Sequence, residues 1–261
     1  MISLIIYCFL VYLLAGVGTS VGYHRILTHK SATLPRWLEY TIVVIALPAG
    51  TPIQWVGNHR AHHKYEDTER DPHSPIIQGF WYAHCGWYLS TKNQLLSFLY
   101  ALGGPLRMIL DSFLRPRSNQ EHNHFAKDVS SVSFYRMISA PLIYNLILLL
   151  YLSVLVLFFW FFWKWNGVLA LWISLVLIYN LGDAVNSFGH LYGNSKGGSS
   201  ARNNAVLGWL TFGDGWHANH HKKPNLAKHG IKKSQVDLSF LIISLLRKCK
   251  LVDKIQGYEK N

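Results

Sequence analysis

The chain has 261 residues, 50% of them hydrophobic and only 15% Asp, Glu, Lys or Arg. A soluble domain spends about 25% of its residues on charge, so this balance points toward lipid, and the length suits one domain, 1–261, better than two. The formal charge of +12 suits anionic lipid on the cytoplasmic side, or an acidic carrier or electron donor. No nucleic-acid recognition module is present, and no nucleic acid is expected as a partner. Cys8, Cys85 and Cys249 form neither a disulfide framework nor a CxxC pair.

Residues 1–22 are apolar and carry no charged side chain. Without a basic leader or a small-residue cleavage motif, they read as an uncleaved transmembrane helix rather than a signal peptide. Residues 37–55 follow, with Glu39 near the start and Pro48 and Pro52 near the end. Their uninterrupted apolar part is only about a dozen residues, short for a crossing and suited to a re-entrant or interfacial helix. Residues 94–114 are amphipathic, broken at Gly103-Gly104-Pro105, and are expected to lie at the interface. Residues 142–182 are interrupted only by Lys164 and Trp165-Asn166-Gly167, which predicts a helical hairpin with arms at about 142–163 and 168–187. Residues 193–204 read as loop, and 238–252 as a further surface helix. The expected fold is an all-α integral membrane protein with about three crossings, a re-entrant helix and a cytoplasmic helical cap.

Nine of the 14 histidines fall in four compact groups: His24 and His29; His59, His62 and His63; His190; and His217, His220 and His221. Their placement constrains topology. If 37–55 crossed fully, the first group would face the opposite side of the membrane from the second; a segment that dips and returns leaves all four on one face. Spacing of i, i+3, i+4 gathers imidazoles on a helix face, where neutral nitrogens can converge on metal. Nine rings exceed the four ligands of a zinc site and point to two metals, and imidazole suits iron as well as zinc. Asn186 stands four residues before His190, placed to orient a water or to ligate weakly. Taken singly, His73, His84, His122, His124 and His229 read as ordinary hydrogen-bonded side chains.

YHRILTH, WVGNHRAHHKYEDTERDPHSP, FWYAHCGW, VNSFGH and FGDGWHANHH resemble, in that order, the motifs of integral-membrane fatty acyl desaturases of the stearoyl-CoA and bacterial or cyanobacterial delta-9 type. The resemblance covers nearly the whole chain. It implies a centre of two Fe ions held mainly by histidine, O2 as co-substrate, and two electrons used to leave a cis double bond in an acyl chain. By motif, His24, His63, His190 and His221 would bind one iron, with Asn186 acting through a water, and His29, His59, His62, His217 and His220 the other. Asp67, Asp71 and Asp214 become candidates for acceptors of ligand N–H groups or for salt bridges organising the cap, whereas Glu66 and Glu69 read as a solvated face. Trp81, Tyr82, His84, Trp87, Trp209 and Trp216 are expected to wall the acyl channel or anchor at the interface.

Several positions depart from that family. The extra crossing that precedes the first histidine group in animal-type relatives is not expected here, nor is a fused electron-carrying domain. An external ferredoxin, cytochrome b5 or rubredoxin-like donor is therefore expected. Gly57-Asn58 replace an acidic pair common where coenzyme A is handled, which favours an acyl lipid or carrier-protein thioester over a coenzyme A thioester, and makes Asn58 a candidate substrate contact. Asp214, Ala218 and Lys222-Lys223 depart from the usual residues, Lys222 belonging to a basic rim suited to phosphate or an acidic carrier. Asp183 is unexpected in an apolar helix; it suits contact with a polar chain end, positioning of Asn186, or a local ion pair. Hydroxylation, acetylenation and terminal alkene or alkyne formation are alternative outcomes of the same chemistry. Metal transport or sensing and a non-catalytic scaffold are the non-enzymatic alternatives.

Overall fold

A computed structural model describes residues 1–116, 119–195 and 197–257. Lys196, within the expected loop 193–204, lies outside the described residues. The first helix, α1, runs over Ile2–Gly16 and continues through Val17–Thr28 with the wider winding of a π-helix. Together they make one apolar rod of 27 residues, long enough to cross a bilayer. The widening matters for chemistry. On a regular α-helix, residues five apart diverge by about 140° around the axis, whereas a wider turn brings His24 and His29 toward one side.

Helix α2 (Arg36–Ala46) and helix α3 (Pro52–Tyr65) are bent by 75° across Leu47–Thr51, so this segment is a broken or re-entrant element rather than a straight rod. Pro48 and Pro52 cannot donate the hydrogen bonds that would carry one helix through. The Thr51 side chain accepts from the Gln54 N–H and starts α3 afresh. Further along are two short helices, α4 (Gln94–Ala101) and α5 (Pro105–Leu114), separated at the glycine pair anticipated from sequence.

The long apolar segment Pro141–Asn186 contains one non-helical residue, Lys164, with φ 54° and ψ −141°. There the chain reverses, giving α6 (residues 141–163) and α7 (residues 165–186). A side chain on Gly167 would collide with the Phe159 carbonyl and with Trp163, an approach that eight residues of unbroken helix would hold about 12 Å apart. The Lys164 ammonium lies 4.4 Å over the Trp160 ring, an aromatic anchor for a charged tip. Tyr7 of α1 packs on Phe158 and Trp163 at centroid distances of 5.1 and 5.4 Å, so the start of α1 and the hairpin turn share one end of the bundle. The histidines occupy the other end.

Inward faces repeat every fourth residue: Tyr144, Leu148 and Leu152 on α6, and Leu171, Leu175 and Tyr179 on α7. They join Tyr23, Val43, Leu47, Val56 and Met108 in the main core. Outward faces are apolar too, with Leu142, Leu146, Leu150, Leu157, Leu169, Ile173 and Leu177 exposed. In lipid each such residue near the centre of a span favours insertion by about 0.3–0.6 kcal/mol. The cap is completed by α8 (His217–Lys222) and α9 (Leu238–Lys248), whose Ile243 packs in a second core with Val21, Ile26 and Ile42. A two-residue antiparallel pairing of Ala32–Thr33 with Lys254–Ile255 ties the end of the described chain to the segment after His29.

Candidate metal centre

Two nests of imidazole form where α1, α3, α7 and α8 meet. His24, His29, His59 and His220 present ring nitrogens within 4.8 Å of one another, as do His62, His190, His217 and His221. His63 joins the first nest, its Nε2 3.1 Å from His59 Nε2 and 2.9 Å from His220 Nε2. The motif-based division of ligands is thereby corrected: His24 and His63 do not share a nest with His190 and His221, nor His62 and His217 with His29 and His59. The reason is helical geometry. At 100° per residue, positions i and i+4 lie within about 40° of each other while i+3 swings to the other side. So the triplet on α3 gives His59 and His63 to one nest and His62 to the other. The triplet on α8 gives His217 and His221 to the second nest and His220 to the first.

Several contacts show why this arrangement suits cations. Nε2 faces Nε2 at 3.0 Å for His24–His220, His29–His59 and His190–His217, and at 3.1 Å for His217–His221. His24 Nδ1 donates to Asp214 at 3.1 Å and His62 Nδ1 to Asp71 at 2.9 Å, while the Glu66 carboxylate lies 3.0 Å from His221 Nδ1. A carboxylate can only accept, so His24 and His62 carry their proton on Nδ1 and turn a lone pair inward on Nε2. His62 Nε2 has no hydrogen-bond partner. Burial, reinforced by His62 and other neighbouring rings, holds His217 at about 3, and burial likewise lowers His29, His220 and His221 well below the ordinary imidazole value. Neutral imidazoles with converging lone pairs are an incomplete structure without positive charge between them. Five rings in one nest and four in the other fit two metal ions.

The supporting carboxylates are partly those anticipated. Asp71 is 1% exposed, holds His62, and also accepts the His73 backbone N–H. Asp214 accepts from His24 and from Arg25 Nη1 at 2.8 Å. Burial alone would raise its carboxyl, but His24 and Arg25 hold it at about 2. Asp67 touches no histidine; its carboxylate takes the Ser74 hydroxyl in a turn where Asp67 has φ 57°. Glu66, expected as a solvated face, instead lies beside His221 Nδ1 and accepts the Ser199 hydroxyl, with its side chain 18% exposed. Sequence reasoning missed it because an acidic run after a helix gives no sign of which member turns inward. Arg25 was missed as well. It is fully buried and binds Asp214, Asp237, Ser20 and the Ala227 carbonyl, locking α1 to the cap beside His24.

A cavity of ≈ 200 Å³ opens onto His24, His59 and Asn186 and continues between Trp55, Leu175, Ile178 and Tyr179. The family profile "Fatty acid desaturase" matches residues 3–234. The chain belongs to this family. It is 35% identical over 255 residues to an acyl-CoA C20 Delta5-desaturase of Anemone leveillei, covering 95% of this chain and 72% of that protein. An sn-1 stearoyl-lipid 9-desaturase of Anabaena variabilis is 32% identical over 261 residues, covering 95% and 84%. A probable lipid desaturase of Arabidopsis thaliana, ADS3.2, is 33% identical over 248 residues, covering 92% of this chain and 60% of that protein. The desaturase is therefore an oxidoreductase that introduces a double bond into a fatty acyl chain with oxygen as oxidant.

In the desaturase, Asn58, Trp87 and Asp183 line the cavity, together with Trp55, Tyr12 and Phe212. Five other expected substrate contacts do not. Both nitrogens of His84 are engaged, with Ser187 and Asn180 at 2.9 Å, binding its segment to α7. Trp81 packs edge-on against Phe98. Trp209 is 53% exposed on the outer surface. The Trp216 indole N–H donates to the Val236 carbonyl at 2.7 Å inside the cap. Lys222 lines a separate recess with Glu66 and His221.

Proposed function

We propose that the two metals are iron, the first held by His24, His29, His59, His63 and His220, the second by His62, His190, His217 and His221 with Asn186 acting through a water. An acyl lipid or carrier-protein thioester is the substrate, with the double bond placed at the delta-9 position. The metal-bearing end of the bundle faces the cytoplasm, in keeping with the basic residues outside the spans. A ferredoxin, cytochrome b5 or rubredoxin-like protein supplies two electrons there. Bound iron supplies the oxidising power by which O2, two electrons and two protons remove two hydrogens from adjacent methylenes, leaving a double bond and two waters.

The chain's own groups do the positioning. Asp71 and Asp214 fix ring tautomers so that Nε2 faces inward, and the Glu66 carboxylate lies against His221 Nδ1. The apolar cavity walls orient the acyl chain and keep water from the reacting carbons. For the carrier, the supporting observation is the burial of Gly57-Asn58. A side chain on Gly57 would run into the His122 carbonyl, and Asn58 is 3% exposed with its amide oxygen taken by His122. Neither is placed to meet a nucleotide headgroup.

The test is reconstitution of the iron-loaded protein with an electron donor, offering lipid-bound, carrier-bound and coenzyme-A-bound acyl chains, with products read by mass spectrometry. Loss of two hydrogens from the lipid or carrier-bound chain is expected. Turnover confined to the coenzyme A thioester would overturn the carrier assignment, and absence of product from all three would overturn the reaction. Gain of an oxygen atom or loss of four hydrogens would instead favour hydroxylation or acetylenation.

A further inference from the structure

Helix α5 is built inside out. Leu106, Ile109, Leu110 and Phe113 are exposed, while Arg107 and Asp111 are fully buried and Arg115, just past its end, is 4% exposed. The three charges stand at i, i+4 and i+8, one stripe pressed against α7. Arg107 Nη1 donates to Asp183 Oδ2 at 2.7 Å, and Asp183 Oδ1 accepts the Tyr88 hydroxyl at 2.9 Å. Asp111 accepts the Tyr100 hydroxyl and lies 3.1 Å from Arg115 Nε. The Arg107 guanidinium lies over the Tyr100 and Tyr179 rings, at 4.4 and 4.3 Å from their centroids. Two arginines and two aspartates sum to zero charge.

Toward the cavity, what this cluster leaves over is mainly donors; its unpartnered acceptor atom, Asp111 Oδ2, lies beside Arg115 Nε and outside the cavity lining. Arg107 Nε and Nη2, the Trp87 indole N–H and the Tyr179 hydroxyl are buried without a hydrogen-bond partner. Arg107, Trp87 and Tyr179 all line the cavity that opens onto His24 and Asn186. Asp183, the carboxylate in that wall, has both oxygens engaged. Buried donors without acceptors are costly, and a bare hydrocarbon chain would not satisfy them.

We propose that this part of the cavity receives a neutral oxygen function carried by the acyl chain, a hydroxyl or carbonyl group, as acceptor for Arg107, Trp87 and Tyr179. Neutrality follows from the charge balance: an added carboxylate would stand uncompensated in a buried site whose four charges already cancel. The inference rests on the desaturase reading and deepens it. A chain held at such a group as well as at its carrier has its position at the metals set by the distance between the two.

The experiment measures binding without turnover. Iron-loaded protein in lipid nanodiscs, kept anaerobic, is titrated with stearoyl chains bearing one hydroxyl at successive carbons, with the unsubstituted chain, and with a chain ending in a carboxylate. A site built to hydrogen-bond an oxygen rejects the analogue lacking it, so at least about tenfold tighter binding is expected at one or two hydroxyl positions. Tyr179→Phe should bring that ratio toward one, and because it removes an unpartnered hydroxyl it should not lower the melting temperature of the ligand-free protein. Equal binding of hydroxylated and unsubstituted chains, a preference untouched by both Tyr179→Phe and Arg107→Lys, or tightest binding of the carboxylate would each overturn the proposal. Aerobic turnover is scored separately. Product from the unsubstituted chain with no binding preference sinks this inference alone, whereas a binding preference with no product from any chain supports it and sinks the desaturation reading.

Discussion

Two buried polar regions sit side by side in this desaturase and solve opposite problems. The histidine nests turn lone pairs toward one another and need an added cation. The Arg107–Asp111–Arg115–Asp183 cluster carries four charges that already cancel, and on its cavity side is short of hydrogen-bond acceptors. A polar interior can thus be left incomplete in charge, which calls for metal, or in hydrogen bonding alone, which calls for a neutral partner. Removing one member from each region separates the two cases.

The largest effect is expected in the nests. His62→Ala takes one ring from the smaller nest and should abolish turnover and cut bound iron together, measured by metal analysis beside product formation; full iron content with normal turnover would remove His62 from the ligand set. Acid should act on the nests as a whole. His29, His217, His220 and His221 have folded-state pKa values below the ordinary 6.5. Below pH 6.5 the unfolded chain therefore binds more protons than the folded one, and stability falls as pH drops from there toward the depressed values. Protons also compete with metal for the same nitrogens. Iron retention across a pH series should decline below about 6.5, and retention unchanged well into acid would contradict the neutral-imidazole picture.

In the charged cluster, Arg107→Met removes one partner of a buried pair and should destabilise the fold by about 3–5 kcal/mol, with iron binding per folded molecule retained. Combining it with Asp183→Leu should restore much of the loss, since neither charge is then left alone. Thermal unfolding of both variants in detergent checks this; a double variant no more stable than the single one would mean that the cluster is not held by that pair.

The two regions also differ in how far the sequence disclosed them. Doubled HxxHH triplets are a local pattern, so His59, His62, His63, His217, His220 and His221 could be picked out from spacing alone. Their sorting into nests was available from the same spacing, because i+3 and i+4 straddle the helix axis; reading the motifs as units hid it. The hairpin was legible because a bilayer fixes the length of an apolar helix and Lys164 interrupts the run at mid-length. The α5 cluster was not. Arg107, Asp111 and Arg115 on an amphipathic helix look like a face turned to water, and only the lipid outside and Asp183 inside invert that reading. Asp183 alone carried a hint, as a charge in an apolar span.

Smaller effects belong to the carboxylates around the nests. Asp71→Asn removes the charge that fixes His62 and should weaken metal binding about 10–100-fold. The adjacent pair Glu66 and Asp67 then offers the sharpest comparison. Glu66→Gln keeps a polar oxygen beside His221 Nδ1 but loses the charge, so iron affinity should fall by about tenfold, toward the lower end of that range. Asp67 serves only its own turn, accepting the Ser74 hydroxyl at 2.8 Å with φ 57°, a conformation that asparagine adopts readily while keeping the same acceptor oxygen. Asp67→Asn should therefore leave iron affinity within about twofold of the parent, inside the range where a neighbouring charge acts only through solvent. Equal losses from the two substitutions would show that the acidic run acts on the metals through its summed field; unequal losses would show that it acts through the close contact of Glu66 with His221.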